Sequence, residues 1–154
     1  MIIVALSRSS GHTLSCQQFS QTIEKRWCPL WVRTNPNPKH KHVPDCVIRA
    51  LAIVLNKTWY QVYDDLYIVG RWECSVSCHD DVWGAYLHMH GFEQFMLPEA
   101  CPRCITIKEF TRYFPKGRHV IGTGGHAVAI IDGDYYDSWD SGDEIPSFFW
   151  RIRE

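Results

Sequence analysis

A segment that is apolar at every position but one, Val47 to Leu55 with Arg49 as the exception, constrains the fold of this chain more than any other feature. A helix with no polar face has no side to give to water, so other elements must enclose it. Pro44-Asp45 comes directly before, which predicts a helix start with Asp45 as N-cap and Cys46 at the first helical position. There the unpaired backbone N–H groups and the positive end of the helix dipole favour thiolate over thiol. The chain thus offers a cysteine nucleophile at the mouth of a buried helix. Eighty residues later, Gly124-Gly-His-Ala-Val-Ala-Ile-Ile-Asp-Gly-Asp-Tyr-Tyr-Asp-Ser-Trp-Asp140 supplies a histidine and aspartates on what reads as a hairpin. Those are the other two parts of a Cys-His-Asp site.

The elements around this helix follow from capping and periodicity. Residues 1–31 read as an irregular arm with a short helix at 17–26, and residues 32–154 as a single domain, which is what 154 residues suit. Two Asn-Pro steps, at Asn35-Pro36 and Asn37-Pro38, keep the approach to Cys46 extended. Thr58 and Gln61 form a capping box, with Trp59, Val62, Tyr63, Leu66 and Tyr67 as the inner face of the helix it opens. A loop is expected over 70–79. Asp80 or Asp81 then caps a helix that buries Trp83, Tyr86 and Leu87 and stops at Gly91, which leaves His88 and His90 at its edge. Thr106 and Glu109 form a second capping box, with Ile107, Phe110 and Phe114 turned inward. After Gly117 the pattern becomes short β-branched and aromatic runs, over 118–123, 126–131, 134–139 and 147–152. Helices first and antiparallel strands after define an α+β fold with a small antiparallel sheet.

Parity selects the acid. An Asp132-Gly133 two-residue turn pairs Ile131 with Asp134. Counting back, Asp137 falls opposite Val128 on the face of His126, while Asp140 falls opposite Gly125 on the other. Asp137 is therefore the expected third member, and Asp140 the alternative that a bulge would select.

Seven cysteines include two close pairs, Cys74 with Cys78 and Cys101 with Cys104, whose spacing could furnish four thiolates for a structural zinc. The odd total leaves at least one thiol outside any internal disulfide, and with no export signal reduced thiols are expected. A net charge of −1 gives no basic excess of the kind nucleic acid attracts, and the locally positive Lys39-His40-Lys41-His42 reads as a solvated loop. No apolar run approaches membrane-spanning length. A soluble, intracellular protein is expected, with a protein or peptide substrate and neither nucleic acid nor membrane as partner.

These residues resemble the papain-like cysteine peptidases. In that family Cys opens a central helix, and His and Asn or Asp come from a following antiparallel sheet, in the chain order found here. Asp137-Ser-Trp-Asp140 is similar to the family's Asn-Ser-Trp-Gly string, with Asp in place of Asn. Asp45-Cys46 followed by Ala50-Leu51-Ala52 is similar to the nucleophile helix of the bacterial leader peptidases that process bacteriocins. The span from Asn35 to Trp150, about three quarters of the chain, resembles small papain-like proteins of gut bacteria and their phages. The resemblance implies a papain-like fold, no required cofactor, a bacterial cytoplasm or that of a phage's host, and Cys46, His126 and Asp137 in the catalytic roles. One departure stands out. The glutamine that these families place shortly before the nucleophile to hold the oxyanion is missing, and His40 occupies its position. Asn37 is the first substitute donor, ahead of Asn35 and His40. The aromatic wall beside the family's histidine would fall to Trp139 or Trp150.

Acyl transfer follows. His126 would take the Cys46 proton, Asp137 would hold the imidazole, and an acyl-enzyme would be released by water, cleaving a peptide or isopeptide bond. An amidase, a transglutaminase or a cell-wall endopeptidase would use the same triad. A non-catalytic binding module, zinc-stapled or not, is the competing account, in which Cys46 merely packs and His126 serves a loop.

Overall fold

The apolar segment forms helix α1, Cys46–Leu55, with Val47, Ile48, Ala50, Leu51, Ala52 and Val54 buried. Asn56 closes it in the left-handed region at φ 54°, a conformation that asparagine tolerates better than most residues. The computed structural model describes residues 29–97 and 104–153, together with the strand backbone of 5–6 and 13–14. The helix expected at 17–26 lies outside the described residues. Within the first 31 residues, β1 (Ala5–Leu6) and β2 (Thr13–Leu14) pair antiparallel.

Helix α2, Trp59–Glu73, opens on the expected Thr58/Gln61 capping box, but its inner face differs from the sequence reading. Val62, Leu66, Val69 and Gly70 face the core, while Tyr63 and Tyr67 are 48% and 57% exposed. Aliphatic side chains fill the core stripe, and the tyrosines, each with a hydroxyl to keep solvated, move outward. The helix also runs through Gly70, where a loop was expected. The Ser75 carbonyl lies only 2.9 Å from where a Cβ would sit on Gly70, so glycine is required there for close approach and not as a helix breaker. Helix α3, Asp80–Met89, buries Trp83, Tyr86 and Leu87 and ends before Gly91 at φ 79°. Helix α4, Ile107–Tyr113, carries the second capping box, Thr106 with Glu109.

The fold is α+β, and the sheet is larger and more mixed than the sequence suggested. Six strands run in the order β3-β7-β6-β5-β8-β4, with β3 Trp31–Arg33, β4 Phe92–Met96, β5 Arg118–Gly122, β6 Ala127–Ile131, β7 Asp134–Asp137 and β8 Phe148–Ile152. Strand β3 spans the position where the arm was expected to end, and it pairs with β7 in parallel. All other neighbours are antiparallel. Strand β4 follows Gly91 directly and forms the far edge of the sheet against β8.

Both sheet faces are covered. Helices α1, α2 and α3 enclose one core with Val120, Ala127, Ala129 and Trp150 of the sheet. Helix α4 closes a second, in which Ile107 and Phe110 meet Ile121, Val128, Ile130, Tyr135 and Phe149. Helix α1 lies across β6, with further contacts to β5 and β7. Helix α1, which begins at Cys46, is therefore fixed against the strands that precede and follow His126.

Candidate active site

Cys46 begins α1 directly after Asp45, which occupies the N-cap position. The sulfur accepts hydrogen bonds from the backbone N–H groups of Ala127 and Val47 and shares one with the His126 ring. Burial alone would raise its pKa, but the His126 contact and these N–H groups outweigh burial and hold the thiol below its ordinary range. The helix start and the β6 start thus both aim donors at one sulfur.

His126 ends the short β5–β6 connection, where the Thr123 N–H donates to the His126 carbonyl at 2.9 Å. Gly122, the last residue of β5, leaves room for the Phe148 ring of the neighbouring strand, which a Cβ there would meet. The Nε2 atom of His126 lies 2.5 Å from Asp137 Oδ2, which leaves Nδ1 for the Cys46 sulfur. Burial would lower the imidazole pKa; hydrogen bonds to Asp137 and Cys46, and the negative charge of both, raise it instead to about 9. A thiol held low beside an imidazole held high favours the thiolate–imidazolium pair at neutral pH.

Asp137 reaches this point through the hairpin. Asp132 and Gly133, at φ 50° and 86°, form a two-residue turn with both residues in the left-handed region. Ile131 pairs with Asp134 and Ala129 with Tyr136, so the next position in the same register sets Asp137 opposite Val128. The second carboxylate oxygen, Oδ1, accepts the Ser138 N–H at 2.7 Å, and Asp137 is buried. Its backbone carbonyl takes the Thr34 N–H at 2.8 Å and the Trp31 Nε1–H at 3.3 Å. Strand β3 therefore braces the acid from the outside. Asp140 is directed elsewhere: its Oδ1 accepts from the Tyr135 hydroxyl at 2.7 Å.

Arg49, the single charge on α1, ties these parts together. Its Nε lies 2.9 Å from Asp45 Oδ1, and its Nη1 donates to Ser138 Oγ, next to Asp137. Asp45 Oδ2 in turn accepts from Asn37 Nδ2 at 2.8 Å and Trp59 Nε1 at 3.0 Å. Asp45 thus holds the N-cap position without a side-chain capping bond, because its carboxylate is engaged by three other residues. The sequence carried a signal for this, an Asp and an Arg four apart across the helix start. The hydrogen bond to Asp45 also redirects Asn37, which is buried with its amide turned to that carboxylate. Asn35 is the asparagine that lines the cleft with Cys46 and His126.

Trp139 stands beside the His126 ring, with centroids 5.2 Å apart. Trp150 instead packs inside the first core against Trp83. Cys74 and Cys78 are exposed, and Cys101 lies outside the described residues. Among the described residues no group of three His, Cys, Asp or Glu side chains forms a metal-ligating set. The Cys78 thiol is raised by desolvation of its sulfur and by the negative charges of Cys46 and Asp45, the reverse of Cys46. No helix among the described residues is long and apolar enough to cross a membrane.

The surface at the triad is a divided cleft. One chamber of about 380 Å³ holds Cys46, and a second of about 630 Å³ includes Thr123, Glu144 and Ile145; Gly125, His126 and Trp139 line both. Comparison with protein-family models, curated proteins and solved structures returns no match.

Proposed function

We propose that this protein is a papain-like cysteine peptidase that cleaves a peptide or isopeptide bond through an acyl-enzyme on Cys46. The observation that carries the reading is the convergence of the Cys46 sulfur, the His126 ring and the Asp137 carboxylate from three separate segments, with the thiol held low and the imidazole held at about 9. In this reading the thiolate attacks the scissile carbonyl, and the imidazolium Nδ1 gives its proton to the leaving amine. Asp137 keeps the ring oriented throughout. Water, deprotonated by the neutral imidazole, then releases the acyl group and restores the thiolate–imidazolium pair.

The Cys46 N–H at the helix start supplies one donor to the developing oxyanion. Asn35 supplies the second, in place of the missing glutamine: its Oδ1 is held by the Asn37 N–H at 3.0 Å, which leaves the NH2 group for the ligand. Trp139 shields the His126–Asp137 contact from water, where a hydrogen bond between charged groups is strengthened.

The test has two parts. Iodoacetamide at mildly acidic pH should label Cys46 ahead of every other thiol, and His126→Ala should abolish that preference. A mixed peptide library should be cleaved by the native protein and left intact by Cys46→Ala. Uniform labelling would reject the nucleophile, whereas selective labelling with no cleavage of any peptide would reject the peptidase activity.

A further inference from the structure

We infer that the substrate presents a carboxylate to the chamber over Cys46, an inference that rests on the peptidase reading above. Lys41, His42 and Arg49 line that chamber with Cys46 and His126, and no Asp or Glu does so. The two acids bonded to lining residues are buried and engaged, Asp45 by Arg49, Asn37 and Trp59, and Asp137 by His126 and the Ser138 N–H. Arg49 spends its Nε and Nη1 on Asp45 and Ser138. Lys41 and His42, by contrast, are exposed and join no ion pair or hydrogen bond among the described residues. An ammonium group held at the lip of a cleft without a counter-charge attracts an anion from the ligand.

The lip is held in place. Asn37 Oδ1 accepts the Lys39 N–H at 3.0 Å and the Asn37 carbonyl accepts the His40 N–H at 2.9 Å. His40 takes the left-handed conformation at φ 49°, and the Asp45 N–H returns to the Val43 carbonyl at 2.8 Å. Asn37 therefore anchors the start of the Lys39–His42 loop to Asp45, one residue before the nucleophile. This holds the loop's backbone beside the start of α1, with Lys41 and His42 along the rim of the cleft.

Polarity reverses across the shared wall. The second chamber is lined by Glu144 and by Asp143, whose carboxylate is paired with Lys108 at 3.2 Å, and by no Lys or Arg. A substrate carboxylate is thus attracted on the Cys46 side of His126 and repelled on the other, which sets the direction in which a polypeptide lies across the site.

Two alkylating agents that differ in charge read this directly. Iodoacetate and iodoacetamide both form a thioether with the thiolate, the S–C bond replacing the C–I bond as iodide leaves, but only iodoacetate carries a carboxylate. Relative to the neutral thiol 2-mercaptoethanol, Cys46 should favour iodoacetate over iodoacetamide by about tenfold at low salt. Added salt should shrink the preference, and Lys41→Glu should remove or invert it. A preference equal to that of 2-mercaptoethanol, or one unmoved by Lys41→Glu, overturns the inference and leaves the nucleophile intact. A Cys46 inert to both reagents overturns both. Peptide cleavage then separates the two sources of carboxylate. Cleavage clustered beside Asp or Glu in amidated peptides identifies an acidic side chain, and loss of cleavage on amidation identifies a chain terminus; indifference to both overturns the inference.

Discussion

Single residues decide the chemistry and two of its checks. If Asn35 donates to the oxyanion, Asn35→Ala should lower kcat about 10²-fold while leaving iodoacetamide labelling of Cys46 unchanged, since alkylation builds no oxyanion. A parallel loss of labelling would instead mean that the loop had moved. His119 gives a separate signature away from the cleft. It is buried against Phe110, Phe114 and Phe149, its Nδ1 has no partner, and burial lowers its pKa to about 4. The unfolded chain takes up that proton near pH 6.5, before the fold does. The stability due to neutral His119 is therefore complete above about pH 6.5 and lost as pH falls toward 4, up to about 3 kcal/mol. His119→Phe should flatten the fall of Tm over that interval, as thermal melts at several pH values would show. His126 has the opposite sign: its raised pKa contributes stability below about 6.5 that is lost as pH rises through about 9.

Among elements, the link between α1 and β7 is the one whose loss should matter most. Arg49 holds Asp45 at the start of α1 and Ser138 at the end of β7, so its removal leaves a buried carboxylate with its cation gone. Arg49→Met should cost about 3 kcal/mol in urea unfolding. Asp45→Asn in the same chain should recover part of that loss, and strict additivity of the two changes would show that they are not coupled. The elements also show which signals local sequence carries. The β6–β7 register was legible because an Asp-Gly turn fixes pairing within a few residues of itself. The parallel partner of β3 was not, because nothing near Trp31 specifies a strand about a hundred residues later. Strand β4 was hidden by the Gly91 stop, which reads equally well as the start of a loop. Tyr63 and Tyr67 suggested a core face by period alone, and period does not reveal that a hydroxyl will keep a ring at the surface.

Across the whole molecule, the two cores share one sheet. Phe149 and Trp150, neighbours on β8, point into different cores, so neither core can dissolve without exposing the other. Unfolding should accordingly be a single transition, with tryptophan fluorescence and far-UV circular dichroism giving the same midpoint. Separate midpoints would mean that α4 and its core open independently. At this scale the class of fold was legible from the order of helices and strands. The identity of the cleft asparagine was not, because whether Asn35 or Asn37 faces Cys46 depends on a contact between Asn37 and Asp45 that forms only once the loop has closed.

The last strand in sequence, β8, sits between β5 and β4 in the interior of the sheet. During synthesis, a ribosome releases Cys46 long before Phe148–Ile152, so the growing polypeptide carries the thiol while the slot between β5 and β4 is still vacant. Closure of the sheet beneath helix α1 therefore waits for a segment about a hundred residues further along than the cysteine that opens that helix.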